Sequence, residues 1–455
     1  MRLIRKVLLG LLALVVILIG AAMAYLLIAP PDLLRVATGY SAKIVCSNVF
    51  LADRDAGEVL AVDVQAPGHP LLGYVGVSVD REGGSVTARL LGMFAPNTAI
   101  YRPGLGCASV PDGDVAKARA VQLATQPDDT PLEDREWPDG DAVTEGTNDL
   151  LAGVLADEGL TGPGMRAVVV VKNGRIVGEA YGGGFAPETR LLGWSMAKTV
   201  NASIIGVLAR AGLMKLDDTG LVPEWTDARA EISLADLLGM ESGLAFNEEY
   251  GDVSDVLRML FIEPDMAGFA AAQPQIAPPE KNFNYASGTA TLLSRIWMGR
   301  VGGGERALAL PRAALFDPLG MKSAVIEADE TGTLVGSSYM YATARDWARF
   351  GQFLLQGGVW NGNTLLPPGW VKAMGESNGL PGDYSRMQSW LDGPRETDSE
   401  FGVPEDAFWM LGHDGQSVAI VPSEGLVVVR LGLTPSKLGW GPEPMVRAVM
   451  DAVRG

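Results

Sequence analysis

The chain has 455 residues, with 54 acidic and 36 basic side chains and a net charge of −18. The first 30 residues hold Arg2, Arg5 and Lys6 and no acid, so the remainder carries −21. That balance argues against a nucleic-acid partner and against electrostatic docking on anionic lipid. Two histidines and two cysteines in the whole chain argue against an imidazole or thiolate metal centre, and no cofactor is expected.

Residues 7–29 carry no charge. As a helix they would span ~34 Å, against a bilayer core of ~30 Å. The basic residues before them place the N-terminus in the cytoplasm and the rest outside. This predicts a single-pass anchor in the inner membrane with a periplasmic body. The competing reading is a cleaved signal peptide, because Ala22-Met23-Ala24 resembles a signal-peptidase site. Cys46 and Cys107 then both lie on the exported side, where two cysteines can pair; the alternative is two buried free thiols.

Residues 31–125 form an N-terminal extracytoplasmic region beyond the 1–30 anchor. Tyr74–Asp80 and Ser85–Leu91 alternate around a Gly-rich turn and predict a hairpin. His69, in Pro67-Gly68-His69-Pro70, reads as a surface loop residue. Residues 126–142 are polar, acidic and Pro-containing and read as a linker. The region 143–455 is the main domain. In it, Arg166–Lys172 and Arg175–Tyr181 flank Asn173-Gly174, a type I′ hairpin signal. Residues 194–211 read as a buried helix ending at Gly212. Ser233 and Thr343 are placed to cap two further helices. Gln416–Val421 and Leu426–Leu431 read as strands, and 444–453 as a closing helix. Strands at both ends around a helical middle predict an α+β fold, one antiparallel sheet completed by both ends and covered by helices.

Three short elements carry chemistry. In Ser195-Met196-Ala197-Lys198 the i, i+3 spacing puts the amine beside the hydroxyl on one helix face. A serine needs a nearby base to attack, and a lysine can be that base once its pKa is lowered. Lys198 is the only lysine with a serine three residues before it. The other reading is a surface serine with a snorkelling lysine. Tyr285-Ala286-Ser287-Gly288 offers a phenol to shuttle the proton, provided its pKa falls, as a nearby lysine would make it do; the alternative is a packed tyrosine opening a helix. His413-Asp414-Gly415-Gln416 begins a strand, with Gly415 allowing close approach of backbone and ligand. The Gln416 N–H would join that of Ser195 as an oxyanion donor; otherwise His413 is a turn residue before an edge strand. Trp194 would line an acyl pocket or belong to the core.

These three elements, in this order, resemble the boxes of the serine β-lactamase and penicillin-recognising superfamily. Stretches such as LLGWSMAKTV and GHDGQSVAIVPSEGLVVVRLG are similar to its class C-like branch, with the aminohexanoate-dimer hydrolases and family VIII esterases. The resemblance spans about residues 145–455. It implies a β-lactamase/transpeptidase-like fold with an all-helical subdomain, Ser195, Lys198 and Tyr285 as catalytic residues, and Ser287, His413 and Gly415 in substrate binding. The region holding Cys46 and Cys107 resembles an extension of membrane-tethered members. Two departures stand out: the third box has His413 in place of lysine, and the second ends in Ser287 in place of asparagine. No glutamate can be assigned as a class A deacylation base.

The resulting expectation is a membrane-anchored serine hydrolase that acts on a small amide or ester through an acyl-enzyme. The alternatives are a β-lactamase or DD-peptidase acting on cell-wall-type substrates, or a non-catalytic penicillin-binding-like envelope sensor. An imidazole is only partly charged at neutral pH and makes a weak carboxylate clamp, so a short neutral or cationic substrate is expected over a β-lactam. The sequence sets no oligomeric state.

Overall fold

The computed structural model describes residues 2–128, 130, 132, 134–144, 148–395 and 398–454. Helix α1 (Arg2–Ile28) has no buried residue, and its most apolar stretch has a mean hydropathy of 2.9. It is long and apolar enough to cross a bilayer. Pro30 and Pro31 separate it from α2 (Asp32–Leu51), most of which is buried. The α2 helix packs on a four-stranded antiparallel sheet, β1 (Val75–Asp80), β2 (Ser85–Leu90), β3 (Phe94–Arg102) and β4 (Gly106–Val110), paired in that order. The expected N-terminal hairpin is β1–β2. Cys46 of α2 is bonded to Cys107 of β4, with Cα atoms 6.1 Å apart.

A buried ionic knot joins this N-terminal unit to the rest. Lys43 of α2 is paired with Glu327, and both are buried. Ser47 Oγ donates to Glu327 Oε1 at 2.8 Å, and the Cys107 amide donates to the same oxygen at 2.6 Å. Arg102 donates to the main-chain oxygens of Ala328 and Asp329 at 2.5 and 3.0 Å. Removing one partner of a buried pair strands the other charge, typically at ~3–5 kcal/mol. Glu327→Ala is therefore expected to destabilise the full chain by about that amount in denaturant titration. An unchanged midpoint would show that the knot does not hold the two units together.

Helix α3 (Asp149–Ala156), capped by Asn148, leads into the second sheet. Its strands are β5 (Met165–Lys172), β6 (Arg175–Tyr181), β7 (Phe408–Gly412), β8 (Gln416–Val421) and β9 (Leu426–Gly432). Their order is β7-β8-β9-β5-β6, antiparallel throughout, so both ends of the domain complete one sheet. Asn173 and Gly174 both have positive φ, as the type I′ turn requires.

Alternate residues of the strands serve two cores. Val169, Val171, Val418, Ile420, Val427 and Val429 face one; Val168, Val170, Ala419, Val421, Leu426 and Val428 face the other. Between β6 and β7 run α4 (Ala197–Arg210), α5 (Asp255–Ile262), α6 (Ser287–Arg300) and α7 (Ala344–Leu355). Thr343 caps α7 as expected. Gly351 lets α7 lie close on the sheet, since a Cβ there would meet Val427 at 2.6 Å. The closing helix α8 (Glu443–Arg454) covers the second face with α3. A Ser233–Asp236 capping box opens the expected short helix, which stops at Leu238, before Ser242-Gly243.

In the polar 126–142 stretch, the part around Trp137–Asp141 packs on the domain, while Gln126, Asp128, Asp134 and Glu136 are exposed. Trp137 is buried. Arg349 donates to Pro138 O at 3.1 Å and to Asp141 Oδ1 at 2.7 Å. Residues 129, 131 and 133 of that stretch lie outside the described residues.

Candidate active site

The expected helix over 194–211 starts with a 3-10 turn, Trp194–Met196, before α4. Trp194 sits at φ +48°, a region that a bulky side chain rarely occupies. The turn presents Ser195 on a cleft and leaves Lys198 in the first turn of α4, fully buried. Lys198 Nζ lies 3.1 Å from Ser195 Oγ, 3.0 Å from Ser287 Oγ and 3.0 Å from Ser337 O. Burial pulls the amine down to about 8, against the opposing pull of Glu248. A neutral amine has two N–H groups and one lone pair. With Ser287 Oγ and Ser337 O accepting the two protons, the lone pair is left facing the Ser195 hydroxyl.

No local pattern in the sequence marks Glu248, which lies 39 residues before Ser287. It accepts from the Ser287 amide at 2.8 Å and from Ser287 Oγ at 2.5 Å. Lys198, Ser287 and Glu248 thus form one hydrogen-bonded line leading away from Ser195. Burial pushes the Glu248 carboxyl up, while Lys198 and Ser287 hold it back. Because the carboxylate favours the Lys198 ammonium, Glu248→Gln is expected to lower the Lys198 pKa. The acid limb of kcat/KM should move to lower pH. An unmoved or raised inflection would contradict the coupling.

Tyr285 stands over Lys198, whose Nζ is 4.7 Å from the ring centroid. The expected lowering of its pKa is not what the structure gives. Burial pushes the phenol well up and Glu248 adds to it, while hydrogen bonds with Ser195 and Trp390 pull the other way. The neighbouring amine is itself desolvated, so it supplies too little positive field. Tyr285 is a neutral phenol, able to donate.

His413-Asp414-Gly415 forms a tight turn before β8 and is not part of the strand. His413 is partly exposed, stacks on Tyr250 with ring centroids 4.5 Å apart and meets Trp194 edge-on at 5.8 Å. Gly415 has φ +81°, and a Cβ there would meet Arg430 at 2.9 Å. Buried Arg430 donates to Gly415 O at 3.0 Å, so one close approach that Gly415 permits is made by a side chain of the protein. The Gln416 side chain turns inward, bonding His413 O at 3.0 Å and bridging to Gly432 of β9. These bonds fix where its backbone lies.

A cleft of about 690 Å³ runs over Ser195 and is lined by Tyr250, Tyr285, Trp390, Gly412 and His413, with Asp383, Asp392, Arg395 and Glu400 at its margin. Ser195, Lys198, Tyr285 and Ser287 come together on one side, with His413 across from them. Trp194, Gly415 and Gln416 do not line this cleft. Tyr250 and Trp390 arrive on loops that no local pattern marks.

A family model described as Beta-lactamase matches residues 155–433. The chain belongs to the Beta-lactamase family. It is a serine hydrolase of that family. It is 26% identical over 297 residues to a 6-aminohexanoate-dimer hydrolase of Paenarthrobacter ureafaciens, covering 59% of this chain and 72% of that protein. A penicillin-binding protein homologue from Caulobacter crescentus superposes with a TM-score of 0.54 at 19% identity, over 69% of this chain and 99% of that one. EstCE1, a hydrolase with promiscuous acyltransferase activity, gives 0.54 at 16% identity over 67% and 98%. Both likenesses place this Beta-lactamase-family chain in the fold of these two proteins.

Proposed function

We propose that the protein is a membrane-anchored serine hydrolase that cleaves an amide or ester through an acyl-enzyme on Ser195. The observation that carries this is the buried, down-shifted Lys198 amine 3.1 Å from the Ser195 hydroxyl. Ser195 Oγ attacks the substrate carbonyl carbon and gives its proton to Lys198. The backbone N–H of Ser195, on the cleft, faces the developing oxyanion. Tyr285 gives its phenolic proton to the leaving amine or alcohol as that bond breaks, and regains one from Lys198. Water then attacks the acyl-enzyme along the same path and frees Ser195. Ser287 holds the amine, while His413 shapes the substrate side. Helix α1 would keep the N-terminus in the cytoplasm and the body in the periplasm, an oxidising compartment that suits the Cys46–Cys107 pair.

Three carboxylates and one guanidinium at the cleft margin favour a neutral or cationic substrate over an anionic β-lactam. One panel tests this: p-nitrophenyl esters, aminohexanoate oligomers, D-amino-acid peptides and nitrocefin, assayed under one condition. The esters or amides are expected to give the higher kcat/KM. Nitrocefin leading by a wide margin would replace this reading with that of a β-lactamase.

A further inference from the structure

A second cavity of about 410 Å³ adjoins the catalytic cleft, within the size range of ligand sites. Its walls include Leu33, Val36, Leu71, Leu72, Leu257 and Phe261, drawn from α2, the 67–72 loop and α5. Tyr250 and His413 line both cavities, so their stacked rings form the shared boundary. Trp194 lines the apolar cavity while Ser195, its neighbour in sequence, lines the catalytic cleft. The two cavities thus meet within one residue of the nucleophile. The cavity also lies near the end of α1. Leu33 is five residues beyond Ile28, and Leu26, in the last turns of α1, packs on the same N-terminal core as Leu71.

We infer that this cavity holds the acyl chain of a membrane-resident amphiphile, so that the natural substrate is a long-chain acyl ester or amide presented at the bilayer surface. This rests on the hydrolase reading above and enlarges the short substrate expected from the sequence. The N-terminal unit then builds half of the specificity pocket, which explains why it is locked to the domain by Lys43 and Glu327.

The test uses the full chain in phosphatidylcholine vesicles. With p-nitrophenyl esters from acetate to octanoate, kcat/KM should rise up to about fourfold per added methylene, the value of burying each one. A 4-methylumbelliferyl palmitate dissolved in the bilayer should also be cleaved. Leu33→Trp and Leu257→Trp, each filling the cavity from a half-exposed position, should lower the octanoate-to-acetate ratio at least tenfold. Ser195-dependent cleavage with a flat chain-length profile, or a preference that survives both tryptophans, overturns the pocket and leaves the hydrolase reading intact. Preference for octanoate without cleavage of the bilayer ester overturns the membrane source. Failure to cleave any ester or label Ser195 overturns both readings.

Discussion

Ser195→Ala is expected to lower kcat/KM for every cleaved ester or amide by ~10⁴-fold or more, the scale on which a catalytic nucleophile fails. The loss should appear in kcat, because the cleft residues that hold substrate are unchanged. Stability should hardly move. Ser195 Oγ is only one of three groups around Lys198 Nζ, and Ser287 and Ser337 remain. Hydrolysis at a substantial fraction of the wild-type rate, with the fold intact, would contradict an acyl-enzyme on this residue.

Lys198→Met is expected to cost at least ~10³-fold in activity, since the unassisted serine hydroxyl is a weak nucleophile. Its effect on stability should be small or favourable, because a buried amine is replaced by an apolar side chain of similar reach. In the wild type the base must be neutral to act. Activity should therefore rise with pH and level off above about 8, the value to which burial brings Lys198. Tyr285→Phe should also cost several orders of magnitude. The double variant should cost little more than either single one, as groups serving one proton path do not add. Additive losses would place the two residues in different steps.

Much of this arrangement is legible in the sequence, because its signals are local. The hairpin at Asn173-Gly174, the caps at Ser233 and Thr343, and the i, i+3 spacing of Ser195 and Lys198 each follow from neighbours in the chain. The sheet completed from both ends follows from strand patterns at Arg166–Tyr181 and Gln416–Leu431. What escaped depends on pairings set by topology. Glu248 meets Ser287 across 39 residues, and Lys43 meets Glu327 across 284; neither partner carries a local mark. The direction of the Tyr285 shift is hidden for the same reason: it depends on burial and on Glu248. The approach of Arg430 to Gly415 belongs with these, because Arg430 comes from a strand further along the chain.

The most direct measurement is the mass of the full chain after treatment with a fluorophosphonate, followed by peptide mapping. The account predicts one adduct per chain, on the peptide containing Ser195, absent from Ser195→Ala and greatly slowed in Lys198→Met. An active enzyme that takes no adduct, or takes it on another serine, would contradict it.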